Sequence, residues 1–281
     1  MNEYQKGYQN GLWYGKVNTY GNIVIEAFPP DIILPGYTIP ELLKIALAAK
    51  KDEIVKMITP REVYLLINSA LDEKKDLSLV RLGDGEGIAL AQGLCKTEEE
   101  LKKYNFLEYA GLTPPDYQAR DELAIAIRTA DLIGISANLM EDFQPLTCKA
   151  LQQHSIKIKD LTITTANINR SLFQEGYFKA IIKKEGLKIT LVGNKAIELA
   201  GVLKNYCNIT GIVSPVNGVK GIPRVLEELK NHNFDLLLVS AGIPAVIICA
   251  KAAKIFNCVA LDFGHMADQI VEHKTIDFKL C

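Results

Sequence analysis

From residue 161 onward, short apolar runs alternate with helix-like segments, and this alternation constrains the fold more than any other feature of the chain. "LTITT", "LKITLVG", "NITGIVS", "FDLLLVS" and "NCVALD" read as strands. "INRSLFQEGYFKAIIKKEG", "KAIELAGVLKNY", "GIPRVLEELKNH" and "IPAVIICAKAAKIF" read as the helices between most of them. Short apolar strands alternating with helices predict a parallel sheet covered on both faces. The right-handed crossover rule then gives a Rossmann-like α/β architecture, with a mostly parallel sheet and helices on both faces.

The first half joins the same scheme. "LSLVRLG" and "DLIGIS" read as strands. "IPELLKIALAAKK", "TPREVYLLINSALDEKK", "TEEELKKY", "PPDYQARDELAIAIRTA" and "EDFQPLTCKALQQH" read as helices. Thr59 with Glu62, and Thr97 with Glu100, have capping-box spacing. Residues 1–37 differ: they hold the only tryptophan, Trp13, and five of the eleven tyrosines, with at most one strand, "NIVIEAF". The expected organisation is an N-terminal arm over 1–37 and a single α/β domain over 38–281. The arm is either a tail or a docking surface, and its aromatic content leaves a homodimer open.

Composition narrows the function classes. Hydrophobic residues make up 48% of the 281 and charged residues 23%, enough for a substantial core. Lys and Arg number 32 against 33 Asp and Glu, so no general pull toward nucleic acid or an anionic membrane is expected. The six cysteines form no CxxC pair and have no zinc spacing, and no apolar run approaches a membrane span. The chain therefore reads as a cytoplasmic protein with reduced thiols.

Open parallel sheets bind ligands at the carboxyl ends of their strands. The turns there are 81–87, 136–138, 164–169, 193–195, 214–220, 240–244 and 262–265. Asn194 and Lys195 in "LVGNKA", and Ser240 and Gly242 in "VSAGIPA", precede helix N-termini, where free N–H groups suit an anion. The turn "RLGDGEG" is the unusual one. It carries Gly83, Gly85 and Gly87, interleaved with Asp84 and Glu86 and preceded by Arg81. In extended chain, positions i and i+2 point to the same side, so Asp84 and Glu86 are expected to project together. Two such oxygen ligands select a hard divalent ion, Mg²⁺ or Mn²⁺, that keeps open positions for phosphate oxygens. The rival readings are a salt-bridged surface turn, an S-adenosylmethionine-binding G-x-G-x-G turn and a binding module without chemistry. The methyltransferase reading lacks the acidic strand end it needs about 20 residues on.

These residues resemble bacterial glycosyltransferases of the GT-D fold. The similarity rests on "RLGDGE", which matches an R-[FL]-G-D-G-E hallmark containing a D-x-E metal motif, and on "LLLVSAGIPAVIICAKAAK" followed by "LDFGH". It covers roughly residues 60–270. The resemblance implies a UDP-sugar donor and a divalent metal, with Asp84 and Glu86 at the D-x-E positions and Asp262, Gly264 and His265 in the second motif. After "DFGH" the chain departs from the family, with "MADQIVEHK" in place of an acidic-aromatic continuation.

The expected function is therefore metal-dependent transfer of a sugar from a nucleotide-sugar donor to a glycan or glycoprotein acceptor. The alternative is a nucleotide or sugar-phosphate binding protein. Asp84 and Glu86 would hold the metal. Arg81, Lys195 and the N–H groups near Gly242 would position phosphate, with Gly83, Gly85, Asn194 and Ser240 in the same turns. Asp262 and His265 are the candidates for a catalytic base. Their structural alternatives are a strand-end cap and a hydrogen-bonded histidine. Glu141 and Asp142 form another acidic pair, read as helix N-caps.

Overall fold

The computed structural model describes residues 36–279 and, ahead of them, Gly11 alone. Most of the expected arm, including "NIVIEAF", lies outside the described residues. The chain divides into two units, one through Val55 and one from Lys56 onward. The described part of the first unit is helix α1 (Ile39–Ala49), opened by a Thr38–Glu41 capping box with Pro40 in its first turn, and a short 3-10 turn over Lys51–Glu53.

The second unit is built on seven parallel strands: β1 (Leu77–Leu82), β2 (Leu132–Ile135), β3 (Ile163–Thr165), β4 (Lys188–Gly193), β5 (Asn208–Val213), β6 (Leu236–Ser240) and β7 (Val259–Asp262). Their order across the sheet is β3-β2-β1-β7-β6-β4-β5. All seven expected strands are present. β2 and β7 are buried along their whole length, as strands covered on both faces must be, whereas β5 at the edge alternates toward solvent.

One helical layer holds α2 (Pro60–Glu73), α8 (Ile168–Gln174), α9 (Tyr177–Ile182), α10 (Ala196–Leu203) and α13 (Met266–His273). The other holds α3 (Asp84–Ala91), α6 (Tyr117–Thr129), α7 (Gln144–Gln153), α11 (Ile222–Leu229) and α12 (Ile243–Phe256), with the short α4 (Glu98–Leu101) and α5 (Phe106–Tyr109) between α3 and α6 in the chain. The capping boxes at Thr59 and Thr97 are formed. Core residues Ile67, Ile189, Leu238, Val259 and Ile270 join the first layer to the sheet.

Three expected elements differ in extent. The segment 168–186 is two helices, not one, because Gly176 adopts φ +80° between them. "TEEELKKY" is helical only over 98–101. The helix expected from residue 141 begins at Gln144, with Phe143 at its N-cap. Asp142 does not cap it: its carboxylate pairs with Lys96 at 2.7 Å, and the buried ammonium holds it.

The position of the site follows from the layers. Consecutive elements carry α3 from β1 and α12 from β6 to one face, and α10 from β4 and α13 from β7 to the other. Neighbouring strands whose helices diverge leave a crevice at their carboxyl ends. Here it runs across β1, β7, β6 and β4.

Leu238 is 1% exposed at the centre of this sheet. Leu238→Ala should lower unfolding stability by about 2–5 kcal/mol in denaturant titration. Leu66→Ala, at an exposed position on α2, should change it by less than about 1 kcal/mol.

Candidate active site at the carboxyl ends of β1 and β7

Arg81 points from β1 across the crevice and is held at three points. Its Nε donates to the Asp262 carbonyl at 3.1 Å, and its Nη2 donates to Asp262 Oδ1 at 3.0 Å. Its Nη1 donates to the Ala166 carbonyl, just past β3, at 3.2 Å. The guanidinium thus ties three strand ends together. Asp262 is buried, and burial pushes its carboxyl above the ordinary value against the opposing pull of Arg81.

The turn after β1 is not extended. Helix begins at Asp84, so Asp84 and Glu86 occupy its first and third positions, about 200° apart around the axis. The expectation that they project side by side from extended chain is therefore corrected. Each instead folds onto a free N–H of the helix start. Asp84 Oδ1 accepts from Gly85 N at 3.0 Å, and Glu86 Oε2 accepts from Gly83 N at 2.9 Å. Two carboxylates suit this turn because the N-terminus offers unpaired donors and a positive dipole end.

Their surroundings differ. Asp84 is exposed. Glu86 is partly buried, and its pKa is raised to about 7, first by burial and then by the negative charge of Asp262, with Arg81 opposing. One guanidinium thus faces two inward carboxyl groups, and the cluster carries an excess negative charge when both ionise.

The glycines differ in need. A Cβ on Gly85 would make only ordinary contacts, 3.7 Å to the Phe106 ring and 3.8 Å to Ile243, whereas one on Gly87 would run into the Thr147 hydroxyl. In the turn after β7, Gly264 adopts φ +52°, and any side chain there would collide with the Arg81 guanidinium. At the other end of the crevice, Gly242 adopts φ +61°, and a Cβ there would run into the Ala110 carbonyl, which accepts from Ile243 N at 2.9 Å.

The remaining expected residues divide into two groups. Ser240 pairs in register with Gly193, and its Oγ is buried without a hydrogen-bond partner in the structure. Asn194 is engaged, its Oδ1 accepting from Val216 N at 2.7 Å and fastening the loop after β5. Lys195 is exposed, 3.8 Å from Glu198. His265 has 83% of its side chain in solvent, at the start of α13, with Nδ1 3.2 Å from Asp268 Oδ2. The structure therefore brings Arg81, Glu86, Asp262 and Gly264 into one cluster and sets Ser240 and Gly242 farther along the same rim. It leaves Lys195 and His265 at the mouth.

Two supporting residues had no role in the sequence reading, though Asn169 closes the candidate turn 164–169. Asn169 is buried and donates from Nδ2 to the Phe263 carbonyl at 2.8 Å, anchoring the "DFGH" turn. Gly134 of β2 lets β3 and the Arg81 stem come close, since a Cβ there would lie 2.8 Å from the Thr165 carbonyl oxygen and 3.3 Å from Arg81 Cγ. Neither carries a local signal. Both matter only because β2 and α8 flank β1 and β7 in space.

Among the described residues, no three His, Cys, Asp or Glu side chains converge as a ready-made metal cage. A two-carboxylate set still fits Mg²⁺ or Mn²⁺, which bind through one or two carboxylates and fill their other positions with water and phosphate oxygens. The exposed carboxylate of Asp84 and the excess negative charge behind it suit such an ion.

Glu86 ionises at about 7 in the folded chain against an ordinary 4.5. Between those values the folded state keeps a proton that the unfolded state has lost, so stability falls as pH rises from about 4.5 to 7. In metal-free buffer Glu86→Gln should remove that slope, and at pH 8 the variant should be more stable than the native chain by up to about 3 kcal/mol. At pH 4.5 the two should melt together. Gly264→Ala should displace Arg81 and leave the buried Asp262 carboxylate unpaired, lowering stability by about 3 kcal/mol or more in thermal melts.

A family model for GT-D fold-like domains matches residues 58–270 of the chain. Among solved structures, a selenomethionine-substituted structure of domain of unknown function 1792 aligns with a TM-score of 0.54 at 17% identity, over 80% of this chain and 85% of that one. A second aligns with a TM-score of 0.55 at 18% identity over the same shares. It is described in the words "the highly conserved domain of unknown function 1792 has a distinct glycosyltransferase fold". At these identities the likeness is one of fold. No curated protein matches the chain. The matched span contains both the acidic turn of β1 and the "DFGH" turn of β7, and the chain belongs to the family of GT-D fold-like domains, with a glycosyltransferase fold.

Proposed function

We propose that the protein is a metal-dependent glycosyltransferase that takes a nucleotide-sugar, a UDP-sugar in the first instance, as donor. The observation that carries this reading is the acidic turn itself: a solvent-open Asp84, with Glu86 two positions on in the same helix start, at the crevice end of β1, within a GT-D-like domain. The partnerless hydroxyl of Ser240 on the same rim supports it, because a buried hydroxyl without a partner suits a ligand oxygen.

Asp84 and Glu86 would hold Mn²⁺ or Mg²⁺, which when bound offsets the negative charge on the departing nucleoside diphosphate. The residues of the chain divide the remaining work. Ser240, at the end of β6, and the Gly242 turn sit along the rim where the diphosphate would lie; the first N–H of α12, on Ile243, is already held by the Ala110 carbonyl. Lys195, at the mouth, adds a mobile positive charge. Arg81 spends three of its five N–H donors on Asp262 and Ala166, so it holds the strand ends in place and moderates the charge of Glu86, with two donors left over for a phosphate oxygen.

Asp262 and His265, the two candidate bases, have different access. Asp262 is 4% exposed and occupied by Arg81, which suits a positioning role. His265 is open to solvent and already oriented by Asp268, so it is the side chain that an acceptor hydroxyl can reach and give its proton to.

Thermal-shift titration tests this reading. A ligand that binds only the folded chain raises the melting temperature. UDP should raise it by several degrees with Mn²⁺ and little without it, and Asp84→Asn should abolish the Mn²⁺-dependent part. The native chain should also hydrolyse a UDP-sugar slowly when no acceptor is present, which a binding protein would not do. Equal stabilisation by UDP with and without Mn²⁺ would remove the metal from the proposal.

A further inference from the structure

The segment 104–112 has no part in the assignments above, yet it joins the two turns of the proposed donor site. On one side, the Phe106 ring and Ala110 lie against Gly85, between Asp84 and Glu86. On the other, the Ala110 carbonyl accepts from Ile243 N at 2.9 Å, and the Gly111 carbonyl accepts from Val219 N at 2.9 Å. Leu107 and Leu112 are buried beneath it. The backbone is thus fixed from both sides and from below.

Out of this fixed segment stands Tyr109, 84% exposed. No other large apolar or aromatic side chain among the described residues is as exposed. Phe106, one helical turn earlier, is 40% exposed and edge-on to Tyr104, with ring centroids 6.2 Å apart. Two aromatic rings three positions apart share a helix face. An aromatic ring open to solvent, carried on a fixed backbone next to the turns of a polar crevice, suits a planar ligand group.

The layers indicate which part of the donor it meets. α5 packs beside α3, on the layer that also contains α12, whereas His265 starts α13 on the opposite layer. A sugar that must meet an acceptor near His265 points toward the α13 side. The nucleoside, at the other end of the diphosphate, is left the α5 side.

We propose that Tyr109, backed by Phe106, is the platform on which the nucleobase of the donor stacks. This rests on the glycosyltransferase reading and extends it to a residue that binds the donor's base. Stacking accepts any base, since every base has a π-face, so the platform supplies affinity for a nucleotide without choosing among nucleotides.

Isothermal titration with UDP and with inorganic pyrophosphate, both in Mn²⁺, tests the proposal, because pyrophosphate has the same charged end and no base. Tyr109→Ala should weaken UDP binding by about 10-fold, the size of one stacked base, and leave pyrophosphate unchanged. Tyr109→Phe should bind UDP as the native chain does. In Tyr109→Trp, UDP should quench the new indole fluorescence and pyrophosphate should not. Unchanged UDP affinity in Tyr109→Ala, or equal loss of both ligands, would overturn the platform while the glycosyltransferase reading stood. If the native chain bound neither ligand, both would fall.

Discussion

The geometry of the site depends on one buried ion pair. Arg81 and Asp262 close the contact between β1 and β7, and the third bond of the guanidinium extends the clamp to the end of β3. A buried pair of this kind adds little net stability over an apolar substitute, because desolvation offsets much of the attraction. Its value lies in position. The carbonyl and carboxylate of one residue are both bonded by the same rigid guanidinium, which fixes the start of the "DFGH" turn relative to the acidic turn. Gly264 is required because the clamp occupies the space its side chain would fill, and Gly134 chiefly because the Thr165 carbonyl of β3 does. Glu86 is raised to about 7 first by burial and then by the negative charge of Asp262, with the guanidinium of the clamp opposing both.

The two carboxylates of "RLGDGE" act at two levels. As local structure, they satisfy the N–H groups of Gly83 and Gly85 at a helix start that has no other cap. As chemistry, one of them stays open to water at the crevice. These roles are compatible, since the helix terminus that welcomes a carboxylate also faces the ligand end of the sheet.

The strands were legible because a sheet buried on both faces leaves only apolar residues to build it, and the tight turns between are marked by glycine and proline. Helix starts at Thr59 and Thr97 were legible for the same local reason. The break at Gly176 was not, because "FQEGYF" carries apolar residues on both sides and only a positive φ separates the two helices. Nor was the helical start at Asp84, where three glycines mask the helix until tertiary packing imposes it. In the site, Arg81, Asp84, Glu86 and Asp262 could be singled out by type and by their places at strand ends. That Arg81 would face Asp262 rather than the acidic turn could not, because it follows from the lateral order of the strands. The bond from Asn169 to the Phe263 carbonyl, and the places of Gly134 and Tyr109, belong to the same class of information.

The clamp also has a consequence in time. Arg81 and Asp262 are 181 residues apart in the chain. During synthesis the guanidinium emerges long before its carboxylate does, and until residue 262 is available β1 has no β7 to pair with. Closing so long a loop carries an entropic cost that is recovered only when the last strand docks. The sheet therefore cannot be finished outward from its first strand. β7 lies between β1 and β6, so a chain that stops short of β7 lacks both the strand that carries Asp262 and the pairing that joins the two halves of the sheet.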